Sequence, residues 1–70
     1  MRINFYQIFK TYPDGSIEPI RKIRIGGVEF GPGVRFSRGV SFSGIDFTAY
    51  IGRDFEANED GEVLVLTGIY

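Results

Sequence analysis

Apolar residues in this chain come in short runs, two positions apart, and glycine, proline, asparagine or aspartate cut the runs at intervals. A period of two places alternate side chains on one face of a strand, whereas a helix needs a period near 3.6. No long segment keeps the helical rhythm while avoiding Gly and Pro, so the pattern predicts an all-β chain. Ile3 to Thr11 reads as a first strand. Tyr12-Pro13-Asp14-Gly15 then sets Pro where its fixed φ suits a tight turn, and the chain returns along a second strand from Ser16 to Ile25. Pro19 has no N–H to give to a ladder, so this strand is bulged there or lies at an edge. Gly26-Gly27 leads into a short strand, Val28 to Phe30, which Gly31-Pro32-Gly33 stops.

The stretch VRFSRGVSFSGIDFT, Val34 to Thr48, repeats itself. A branched residue stands two before a Phe at Val34/Phe36, Val40/Phe42 and Ile45/Phe47, with a fainter copy at Val28/Phe30. Each pair is expected on one buried face, with Arg35, Ser37, Ser41, Ser43, Asp46 and Thr48 turned outward. From Ile45 the alternation continues through Phe47, Ala49 and Ile51 and predicts a further one-face-buried strand. A change of step at Ser43-Gly44 implies a turn or bulge. Steps of five or six resemble those of β-solenoid coils. The bulky Val or Ile two before each Phe does not suit the pentapeptide coil, and such coils need about three or more stacked repeats. Short antiparallel strands joined by tight turns account better for the spacing. Asn58-Glu59-Asp60-Gly61 reads as the last turn, and Glu62 to Tyr70 as a final strand whose VLVL is apolar on both faces. Glu59, Asp60 and Glu62 act there as gatekeepers against aggregation.

The expected architecture is therefore one all-β domain over residues 1–70, a small barrel or twisted antiparallel sheet of five to six short strands. A chain of this length buries only about 60% of its unfolded surface. It has no cysteine to staple it, but it carries nine Ile, seven Phe, five Val and two Leu. That apolar supply predicts that part of it rests against another subunit or partner.

Candidate chemistry is sparse. Without His or Cys there is no Ser–His pair, no thiolate and no imidazole acid or base, so catalysis is not expected. Glu56, Asn58 and Asp60 alternate before Gly61 as calcium ligands do, but the twelfth position is Thr67 where a bidentate Glu is needed. Gly26 to Gly33 is glycine-rich yet lacks the Lys-Ser/Thr and helix of a phosphate loop. No metal and no cofactor are expected.

Charge adds one feature. Residues 1–38 hold seven Lys/Arg and three acids, and residues 39–70 hold one Arg and six acids. Opposite halves most simply lie side by side. Otherwise Arg21, Lys22, Arg24, Arg35, Arg38 and Arg53, with Tyr50, form a candidate binding surface. The expected role is a non-enzymatic interaction module that self-associates, with a symmetric homodimer as its simplest form. The alternative is a nucleic-acid-binding small barrel of the OB or SH3-like kind using that basic surface. No run is long enough to span a membrane, and a cytoplasmic location is the default expectation.

Overall fold

The computed structural model describes residues 1–70. Its strands are β1 (Arg2–Asn4), β2 (Phe9–Thr11), β3 (Ile17–Pro19), β4 (Ile23–Ile25), β5 (Val28–Phe30), β6 (Asp54–Asp60) and β7 (Val63–Ile69). Two 3-10 turns, Phe5–Gln7 and Phe47–Tyr50, complete the regular structure, and the fold is all-β as the pattern predicts. Five strands form one sheet in the order β1-β6-β7-β4-β5, and β2 and β3 form a separate hairpin. The sheet is open at both ends, so the barrel expectation does not hold. Nor is it purely antiparallel, because β4 runs parallel to β7, Ile23 beside Leu64 and Ile25 beside Leu66.

Several expected elements are cut where local chemistry competes with the ladder. The first strand breaks after Asn4, whose side chain accepts the Tyr6 N–H while Gln7 Oε1 accepts the Asn4 N–H. This reciprocal cap favours a 3-10 turn over continued extension. The second strand divides after Pro19, so β3 joins the hairpin and β4 the large sheet. The Tyr12–Gly15 turn stands as expected, closed by the Gly15 N–H on Tyr12 O. Gly26 and Gly27 link β4 to β5 with φ of 55° and 86°, a two-residue turn that needs positive φ at both positions. The last turn falls two residues later than expected, at Gly61-Glu62, because Asn58 to Asp60 stay paired in β6.

The echoing segment is the main departure. Its Phe rings do reach the core: Phe36 and Phe47 are buried, and Phe30, Phe36 and Phe42 form an aromatic triangle with centroids 4.0–5.1 Å apart. Of their branched partners, Ile45 packs half-buried against the core, but the valines do not follow. Val28, Val34 and Val40 are 44%, 40% and 43% exposed. Residues 31–45 hold only two isolated bridges, Ile17 to Phe36 and Phe42 to Ile45, so each ring enters the core from a loop and not from a zigzag. The predicted strand from Ile45 to Ile51 is likewise a 3-10 turn from Phe47 to Tyr50. Asp46 caps it by accepting the Thr48 N–H and hydroxyl. Thr48 is half-buried and Ile51 exposed, the reverse of the strand reading.

The core lies between the inner face of the sheet and a layer made by the hairpin, the two 3-10 turns and residues 31–45. Phe5, Ile8, Phe9, Ile17, Ile23, Phe55, Ala57 and Leu64 are sealed there, with Phe5 stacked on Phe9 at 4.9 Å. No buried side-chain polar atom lacks a partner.

Candidate interaction surface

The basic residues do not form one surface. Arg21 precedes β4 and Arg24 stands in its middle, and both reach acids at the end of β6. Arg21 makes a two-pronged bond to Glu59 at 2.6 and 3.0 Å, and Arg24 bonds Asp60 at 2.8 Å and Glu29 at 3.4 Å. Two parallel N–H···O bonds satisfy a guanidinium more fully than a point charge would. The two oppositely charged halves of the chain thus lie side by side. Arg35 and Arg38 sit at the β2–β3 turn. The Arg35 guanidinium covers the Tyr12 ring at 3.6 Å and donates to Ser16 Oγ at 2.7 Å and to Asp14 at 3.4 Å. Arg38 lies across Gly15, its Cδ 2.7 Å from where a Cβ would stand. Arg53 stands elsewhere, over the Tyr50 ring and donating to the main-chain oxygen of Tyr70. Lys22 is exposed and forms no ion pair.

The acids in these groups are held in their charged form. Glu59 is lowered from its ordinary 4.5 by the Arg21 hydrogen bonds. Asp54 is lowered from 3.8 by the Asn4 amide and then by Arg2. Asp14 is lowered chiefly by the Ser16 hydroxyl, with Arg35 a smaller cause. Glu18 is lowered by the Tyr12 hydroxyl and the Gly33 N–H, which together tie β3 to the Gly31-Pro32-Gly33 turn. These shifts come from bonds within the chain and leave little unspent charge on the exposed outer face of the sheet.

A different place on the molecule is not self-satisfied. Beyond Leu66, β7 loses its second neighbour, because β4 ends at Ile25 and turns away. Tyr70 donates its N–H to Asp54 O, so Tyr70 and Gly68 turn their backbones toward β6. By alternation Ile69 turns its own the other way, along a lane that no strand occupies, whereas Thr67 is the extra residue of the ladder and its hydroxyl donates to Glu56 O at 3.3 Å. A register shift opposite Glu56/Ala57 sets this phase. Beneath the lane opens a cavity of about 250 Å³, walled by Ile25, Ile45, Phe47, Phe55, Leu66 and Ile69. Ser43 closes one end by donating to Ile25 O at 3.1 Å. A second hollow of about 260 Å³ borders Gly68, between Glu56 and Tyr70. The cavity wall includes no charged residue.

None of Thr67, Gly68, Ile69 and Ile45 was marked by the sequence as a candidate site. The signal was present in VLVLTGI, a seven-residue run with no charge after Glu62. Its meaning depends on where β4 stops, which the sequence does not state. No group of acidic side chains is arranged to hold a metal ion, and no helix is long and apolar enough to cross a membrane. Comparison of the chain with protein-family models, with curated proteins and with solved structures finds no match.

Proposed function

We propose that this chain is a non-enzymatic interaction module that associates with protein, in the first place with itself. The observation that carries this reading is the free backbone edge at Ile69, past the end of β4, beside an apolar cavity. Unpaired N–H and C=O groups in a row are a template for another strand, and adjacent pockets give such pairing its side-chain preference. The charge arrangement supports the same reading over nucleic-acid binding. Arg21, Arg24 and Arg35 are engaged by Glu59, Asp60, Glu29 and Asp14, and a polyanion would have to break those pairs to use them. A cytoplasmic setting belongs to the same proposal.

Size exclusion with light scattering tests it. The mass should rise with concentration from that of one chain toward two. A single-chain mass from micromolar to millimolar concentration would overturn self-association. In a parallel titration with single-stranded oligonucleotide at low salt, the amides of Arg35, Arg38 and Tyr50 should stay in place. Shifts there that vanish steeply with added salt would favour the nucleic-acid alternative.

A further inference from the structure

Resting on the self-association reading, we propose that the partner at the Thr67–Ile69 edge is the same edge of a second copy, paired antiparallel about a two-fold axis at Ile69. The five-stranded sheet has four stretches of free backbone, and three of them are blunted. Past Met1, the end of β6 turns Glu59 outward, where self-pairing would set that acid against its own copy. On β1, Met1 and Ala57 exchange bonds, so Arg2 and Asn4 face outward, and the Asn4 N–H is already taken by Gln7 Oε1. On β5, the two-residue turn makes Val28 and Phe30 face β4, which leaves Glu29 facing out. Self-pairing there would set Glu29 against its own copy, and like charges directly opposite are destabilising. The end of β7 has neither guard. Thr67, Gly68 and Ile69 are uncharged, the N–H and C=O of Ile69 face the open lane, and the edge can meet itself without repulsion.

The local shape fits this pairing. Centring on Ile69 makes its outward N–H and C=O exchange two bonds with those of Ile69 in the second copy. It also lays that isoleucine across the mouth of the neutral cavity, where Ile45, Phe47 and Leu66 stand. Tyr70 of the second copy then falls opposite Gly68, over the hollow where Gly68 offers no side chain. An aromatic residue facing a glycine in this way is a recognised stabilising cross-strand pair. The lane beside Leu66 is filled by Ile25, which fixes the register from below. The contact is short, so the dimer forms reversibly at high concentration, as small interfaces do.

The chain has no cysteine, which makes single-cysteine cross-linking clean. Ile69→Cys, Glu29→Cys and Arg2→Cys would each be oxidised at a concentration where light scattering shows association. Paired positions on neighbouring strands bring Cα atoms within the roughly 4.4–6.8 Å that a disulfide needs. Ile69→Cys should become a covalent dimer at least about tenfold faster than the other two. The unsubstituted chain supplies a second readout that no folding defect can confuse. Its Ile69 amide should exchange with solvent roughly tenfold more slowly as concentration carries it from monomer to dimer. Association with faster cross-linking through Glu29→Cys or Arg2→Cys, or with an unprotected Ile69 amide, would overturn this interface while leaving self-association standing. A single-chain mass throughout would overturn both.

Discussion

Phe47 is 2% exposed and lies between the rings of Phe9 and Phe55, with centroids 5.7 and 6.1 Å away. Phe47→Ala should therefore cost about 3–5 kcal/mol, measured by denaturant unfolding, which is most of what a domain this small has. Asn4 works differently. It caps the first 3-10 turn, and its amide also donates to Gly52 O at 3.1 Å and to Asp54 at 2.8 Å. Asn4→Ala should cost about 1–2 kcal/mol, at or above the usual loss of a cap. Urea midpoints would check this, and a loss near zero would show that water replaces all three bonds. At this scale the sequence was partly legible. The burial of Phe36 and Phe47 follows from their hydrophobicity alone, wherever the backbone runs. The exposure of Val34 and Val40 did not follow, because a two-residue spacing fixes a shared face only if the backbone between is extended. In residues 31–45 it is not.

Among the elements, β7 carries the most pairing. It is flanked by β6 along its length and by β4 at Leu64 to Leu66, with the Leu64 N–H donating to Lys22 O at 2.9 Å. Amide exchange should rank accordingly. The Leu64 amide should be at least roughly a hundredfold slower than that of Glu29, whose side of β5 is open. Similar rates would mean that β4 and β5 open together with the centre of the sheet. The apolar-on-both-faces pattern of VLVL predicts a strand buried on both sides; Val63, Leu64 and Leu66 are buried and Val65 is half-buried. Nothing in it said that one neighbour would be parallel, because that depends on how residues 31–53 cross from β5 to β6. Short strands were legible from turn chemistry at Tyr12 to Gly15 and at Gly26-Gly27. The 3-10 turns were not, because Asn4 and Asp46 act through side-chain bonds that do not disturb the alternation of apolar residues around them.

For the molecule as a whole, charge is arranged inward upon itself. Asp14, Glu18, Asp46, Asp54, Glu56 and Glu59 are all lowered from ordinary values of 3.8 or 4.5, each by hydrogen bonds first. A carboxyl whose folded value lies below its unfolded one stabilises fully above the unfolded value and ceases to do so as pH falls through the folded one. With no His or Cys in the chain, Tm should stay level between about pH 5.5 and 7 and fall below about pH 4.5. Scanning calorimetry across that range checks the sign, and a Tm that rises on acidification would contradict it. The sequence showed the two charged halves and their simplest arrangement. It could not show which arginine meets which acid, because those partners are up to 52 residues apart. The same distance in the chain governs how the molecule is made. The two central strands are synthesised after the other five, and β1 waits for Glu56 to reach Arg2. A nascent chain therefore has no scaffold on the ribosome until residues 54–69 have left the exit tunnel. Conversely, a break at Arg53/Asp54 would take both central strands away from the other five, so neither fragment should hold the sheet by itself, which circular dichroism of each fragment would check.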